Sequence, residues 1–199
     1  MTTFKKLMLA MTVLSASAVV QAADENFASI TLGQTSDKVK KSSLLNSNLD
    51  HPNANGVISK DTTYGVRLGQ QNNDRRYYAT YDNVSGTHNG IKLRQENLLG
   101  SYDLFLPVTS STKLFGGATA GVTKLSQESS GYSRDTDIGY AVGLQTGVLQ
   151  QVSKNVSVEM GYRYLRSNAS TEMSAQGTKQ GSLSLNSSAQ TYLSANYAF

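Results

Sequence analysis

His51 and His88 are the only side chains here that ordinarily exchange protons near neutral pH, and both stand in polar, turn-rich stretches. A hydrolase or acyl transferase needs a hydroxyl nucleophile, a histidine set against it, and usually a carboxylate. His51 follows Asp50, but serines are so frequent that none is singled out as a nucleophile. Glu128, Asp135 and Asp137 are scattered acids without metal-ligand spacing, and two isolated histidines add none. There is no cysteine, which removes thiolate chemistry and disulfides. The glycines of KLFGGATAGV are not followed by Lys-Ser or Lys-Thr, as a phosphate cradle would require. The expectation is therefore no catalytic residue, no metal and no cofactor. Two other sets of residues stand out. Arg67, Gln145, Glu159 and Arg163, with Arg76, Asp82 and Asp103, are polar groups set into stretches that alternate with apolar residues. Lys38, Lys40 and Lys41 crowd one polar stretch.

Alternation identifies the elements that must position these groups. Successive side chains of a strand point to opposite faces. Residues 26–36 set Ala28, Ile30 and Leu32 against Ser29, Thr31 and Gly33. TTYGVRLGQ sets Tyr64, Val66 and Leu68 against Thr63, Gly65 and Arg67. RRYYATYDNV is assigned with Tyr77, Ala79 and Tyr81 outward and Arg76 and Asp82 inward. Residues 92–106 place Leu98, Gly100, Tyr102 and Leu104 opposite Asn97, Ser101 and Asp103. KLFGGATAGVTKL follows. Next, Ile138 to Val148 alternate against Gly139, Ala141, Gly143, Gln145 and Gly147. NVSVEMGYRYLRS sets Val156, Val158, Met160, Tyr162 and Tyr164 against Ser157, Glu159, Gly161 and Arg163. The last stretch, GSLSLNSSAQTYLSANYAF, carries Phe199, Tyr197, Ala195, Leu193, Thr191 and Ala189 on one face, and Leu185 and Leu183 extend that row.

That makes eight strands. Their connections alternate in length: long after the first, fifth and seventh, moderate after the third, short after the second, fourth and sixth. The long ones include residues 37–60, 126–136 and 167–180. Outer-membrane barrels keep short turns on the periplasmic side and longer loops outside. An even strand number puts both termini on the periplasmic side. The fold predicted is all-β: an eight-stranded antiparallel transmembrane β-barrel, wound up-and-down. In such a barrel an Arg or Lys facing lipid near the midplane costs about 2–4 kcal/mol. The inward placement of Arg67, Glu159, Arg163 and Gln145 follows from that cost.

The front of the chain fixes the route. Lys5 and Lys6 precede an apolar run from Leu7 to Val20, and Val20-Gln21-Ala22 presents small residues for cleavage. The run is too short to span a bilayer as a helix and reads as a signal peptide. Residues 1–22 are thus expected to be removed, leaving 23–199 as one barrel domain in the bacterial outer membrane. Without Lys5 and Lys6, 16 basic residues face 14 acidic ones, a formal charge of +2. That balance gives no basic patch for nucleic acid. Eleven tyrosines, 17 glycines and two prolines suit an alternating sheet.

From Leu98 to Phe199 the chain resembles the small outer-membrane barrels that include the OmpA transmembrane domain, OmpX-type proteins and the neisserial opacity proteins. LLGSYDLFLP, KLFGGATAGV, GYAVGLQTGV, VSVEMGYRYL and the terminal ANYAF carry the resemblance. Residues 26–97 match in alternation only. The resemblance implies that Phe199, Tyr197 and Leu193 form the signal read by the barrel-assembly machinery. It implies variable outer loops with a structural or adhesin-like surface role, and it does not fix one function. The partners expected are outer-membrane lipid and lipopolysaccharide, whose phosphates Lys38, Lys40 and Lys41 would meet as point charges. An eight-stranded interior is just wide enough for its own side chains, which predicts a polar plug. A narrow channel is the alternative reading, and a lipid-A-modifying enzyme the third.

Overall fold

The computed structural model describes residues 24–42, 59–88, 91–129, 135–175 and 178–199. The elements are β1 (Glu25–Lys41), β2 (Ser59–Gln71), β3 (Arg75–His88), β4 (Ile91–Pro107), β5 (Thr112–Ser129), β6 (Asp135–Gln151), β7 (Val156–Ser167), β8 (Ser170–Ala175) and β9 (Thr178–Ala198). Consecutive strands from β1 to β7 pair antiparallel. β7 pairs with β9, and β9 pairs with β1 from Phe27↔Ala198 to Lys41↔Leu183. That last ladder closes the sheet. The protein is an eight-stave, up-and-down antiparallel barrel, with β8 continuing the line of β7 beyond a break at 168–169.

The alternation in the sequence becomes two surfaces. On β6 the outward row runs Ile138, Tyr140, Val142, Leu144, Thr146, Val148, while Ala141, Gln145 and Leu149 are buried. Ten residues at about 3.3 Å each, tilted by about 40°, give an apolar band about 25 Å tall, the thickness that barrels of this class present to lipid. Ile30, Leu32, Val66, Leu68, Leu104, Met160 and Leu193 extend it around the wall; Leu144, for example, is 68% exposed. On β3, Arg76, Tyr78, Thr80 and Asp82 face inward, and Ala79 faces out.

Two periplasmic turns are held by side chains that replace backbone partners. Asn72 Oδ1 accepts hydrogen bonds from the amides of Asp74 and Arg75, at 2.9 and 3.0 Å. Thr109 Oγ1 does the same for Ser111 and Thr112. Such local bonds are why Asn and Thr favour tight turns.

Two expectations are corrected. Leu183 and Leu185 do not extend the lipid-facing row: both are buried inside the barrel. The β1–β9 register shifts between Lys38, opposite Ser187, and Val39, opposite Leu185. This bulge adds one residue to β9, and one extra residue flips every side chain beyond it to the other face. Residues 167–180 are also not a polar loop but mostly strand, with β8 and the start of β9 forming a hairpin beyond the membrane band. The expected leader over 1–22 and residues 43–58 of the first polar stretch lie outside the described residues.

Candidate functional site

The barrel interior is cross-braced by charge. Glu159 on β7 reaches across the lumen. Its Oε1 accepts from Arg67 Nη1 at 2.8 Å and from the Tyr192 hydroxyl at 3.0 Å, and its Oε2 accepts from Arg76 Nη1. Arg76 also donates through Nε to Asp103 Oδ2 at 2.7 Å. Asp103 accepts in addition from the Tyr78 hydroxyl and from Gln145 Nε2. Four residues farther along β7, Arg163 Nη2 donates to Asp82 and to Gln190. Three guanidiniums thus meet three carboxylates on four staves, all nearly inaccessible to solvent. The arginines further stack on aromatic faces: Arg67 lies 4.4 Å from the Tyr192 centroid, and Arg76 lies 4.6 Å from that of Phe115.

Inward glycines make room for this lattice. A Cβ on Gly161 would lie 2.4 Å from the Tyr192 ring and hydroxyl, and one on Gly117 would collide with Asp103. Small residues on β5 and β7 therefore leave room for Asp103 and Tyr192, the large residues paired with them on the neighbouring strands β4 and β9.

Apolar layers sit on either side. Towards the periplasmic mouth, Phe105, Phe115, Leu149 and Tyr192 form one buried cluster, with Phe27 edge-on to Tyr78 at 5.7 Å. Towards the outer mouth, Val39, Val84, Leu93, Leu125, Leu183 and Leu185 are buried at 4% exposure or less. The sequence reading anticipated the charged centre and missed both apolar layers. Phe115 and Phe27 sit on inward parity, which is the signal that could have revealed the lower one. In the upper layer Val39, Val84, Leu93 and Leu125 also hold inward parity; only Leu183 and Leu185 depend on the β9 bulge, which alternation alone hides.

The outer wall above the lipid band carries cations among acids, with Lys92 beside Glu128 at 3.7 Å. Lys38 and Lys40 are exposed on β1; the side chain of Lys41 lies outside the described residues. Lys38 and Arg166 both stand opposite Ser187, one on each side of β9. On β4 and β5, Lys124 binds Glu96 at 2.7 Å, Tyr81 donates to the same carboxylate, and Arg94 and Lys92 rise above them. At the opposite end, Tyr197 and Phe199 stack with centroids 6.3 Å apart on the lipid face beside exposed Leu193.

Comparison with known proteins places this architecture. No family model matches the chain, and no curated protein does. Among solved structures, outer membrane protein H from P. aeruginosa, determined in DHPC micelles, is 58% identical over 88% of this chain and 99% of that one, with a TM-score of 0.56. The chain belongs to the outer membrane protein H family. Neisserial surface protein A superposes with a TM-score of 0.64 at 16% identity, covering 87% of this chain and 97% of that one. The attachment invasion locus protein of Yersinia pestis gives 0.54 at 14% identity, covering 89% and 100%. These two share the fold alone. Like its family, the protein resides in the bacterial outer membrane.

The sequence-derived residues separate into three places. Arg67, Gln145, Glu159 and Arg163 converge in the lumen. Phe199, Tyr197 and Leu193 share the outer face at the closing seam between β9 and its neighbours. Lys38 and Lys40 stand on the outer wall beyond the band. His51 and the side chain of His88 lie outside the described residues. Among the described residues no three His, Cys, Asp or Glu side chains are grouped to hold a metal.

Proposed function

We propose that this outer membrane protein H family member is a non-catalytic, non-conducting element of the outer membrane. It acts through its outer wall and extracellular segments, where Lys38, Lys40 and Lys41 engage lipopolysaccharide phosphates. The observation that carries the reading is the lumen: a balanced ion-pair lattice lies between two apolar layers, and Glu159 ties two staves of the far wall to β7. Ions crossing it would have to break buried pairs in a low-dielectric interior. Support for the lipid partner is the exposed Lys38, Lys40 and Arg166, with Lys92 and Arg94 on the far side. Long flexible cations at that height face the headgroup layer.

Two experiments test it. In planar bilayers the purified protein should give no discrete conductance steps; reproducible steps would instead support the narrow-channel reading. Binding of purified lipopolysaccharide at low ionic strength should weaken severalfold in a Lys38→Ala/Lys40→Ala/Lys41→Ala variant and weaken further with salt. Equal binding by variant and parent would remove the proposed contact.

A further inference from the structure

Eight buried side-chain polar atoms of the described residues have no hydrogen-bond partner, and four of them fall on one row of the inner wall. Asn196 stands opposite Ser29, Ser29 opposite Arg67, and Arg67 opposite Thr80. The unpartnered atoms are Asn196 Oδ1, Ser29 Oγ, Arg67 Nε and Thr80 Oγ1, on residues 5% exposed or less. With strands about 4.8 Å apart, the row runs about 14 Å around the wall. An isolated orphan is an ordinary local defect; four in sequence on adjacent staves share a cause.

The two ends of the row differ. Beyond Asn196 the next position is Ser157, whose Oγ accepts from Asn196 Nδ2 at 3.3 Å. Ser157 also lines a cavity at the periplasmic mouth, with Gln71, Lys113, Gln151 and Asn155 as its polar side and Phe105 and Leu149 on its apolar side. Beyond Thr80 the next position is Leu99, which is fully buried. One step towards the outer end, Thr31 Oγ1 and Ser194 Oγ bond each other at 2.7 Å, so neither is an orphan.

We propose that this row holds a blind file of water, entering from the periplasmic mouth at Ser157 and ending at Thr80 against Leu99. The chemistry of the four atoms selects the ligand. Arg67 Nε only donates, Asn196 Oδ1 only accepts, and the hydroxyls do either, so the ligand must both accept and donate. It must also be neutral. The guanidiniums of Arg67, Arg76 and Arg163 are already matched by Glu159, Asp103 and Asp82. An anion would face those carboxylates, and a cation would face Arg67. Water meets both conditions, and buried waters typically make about three such bonds. Arg76 Nη2, another of the orphans, does not join the file, because Arg76 stands in a different row, opposite Gln71 and Asp103. The barrel is then hydrated from one side and closed before the other.

The test uses the whole barrel refolded in detergent micelles and reads water-to-protein cross-relaxation at the Arg67 Nε–H. The expected result is a cross-peak with the sign of long-lived water. It should be lost, or fall severalfold, in Asn196→Leu, which plugs the row between the mouth and Arg67. Ser157→Val, at the entrance, is the second variant should the first fail to fold, with heat-modifiable gel mobility reporting the fold. Absence of the cross-peak in the unaltered protein overturns the proposal without any variant. A cross-peak that survives in a folded plugged variant overturns it too, since that water would not belong to a file fed from the mouth.

Discussion

Glu159 is the residue on which the lumen depends. It pairs with Arg67 and Arg76 at once and accepts from Tyr192, so no single neighbour can replace it. Removing one partner of a buried pair leaves an uncompensated charge, at a cost of about 3–5 kcal/mol. Glu159→Ala should therefore lower unfolding stability in lipid by about that much. Replacing Glu159, Arg67, Arg76 and Asp103 together by apolar residues of similar size, which leaves no member of that linked group charged, should cost less than Glu159→Ala alone. Urea titration followed by gel mobility decides, and a quadruple variant weaker than the single would count against the lattice as described. That these residues face inward was legible, because charge cannot face lipid. Which charges meet was not, because partners such as Arg67 and Glu159 lie 92 positions apart and their contact depends on the barrel's diameter.

At the scale of the strand, β9 is the element most readable and most misread. Its last twelve residues keep strict alternation, and the structure keeps Phe199, Tyr197 and Leu193 on the lipid face. Above Ser188 the bulge inverts the pattern, and nothing in SLSLNSS announces an extra residue. Phe199 exchanges backbone bonds with Asn26, at 2.8 and 3.1 Å, and its ring stacks on Tyr197 in a largely exposed position. Losing an exposed ring and two terminal bonds is worth about 2–3 kcal/mol at most. Deleting Phe199 is expected to lower sharply the amount of barrel assembled in cells, while purified protein still folds into detergent or thin bilayers. A defect of equal size in both settings would make Phe199 a stability residue rather than a signal.

For the molecule as a whole, strand number and antiparallel order were legible, and they follow from a period of two. The connection lengths were legible only in part: 85–88, 126–129 and most of 167–180 read as turn or loop and are strand. The layered interior was not legible, since alternation says which residues point inward and not how far along the axis each one ends. The layering predicts how the lumen fails. Phe115→Ala opens the lower apolar layer and should cost about 3–5 kcal/mol, as large-to-small changes in packed cores do. Yet the charged lattice and the outer layer remain, so bilayer recordings of the folded variant should stay silent. Discrete steps from Phe115→Ala alone would show that the aromatic layer is the only barrier.

The ladder between β1 and β9 has a consequence in time. Thr31 finds its partner in Ser194, 163 residues later. Until the final strand has left the ribosome, the first has one bare edge and no means of closing. No truncated chain can be a smaller finished barrel, and no amino-terminal portion can mature ahead of the rest. Loop closure over nearly the whole chain is the slow kind of folding. The unfinished polypeptide must therefore cross the periplasm with both edges open. Its exposure to proteases and to other open strands is set by the delay before its last residues arrive.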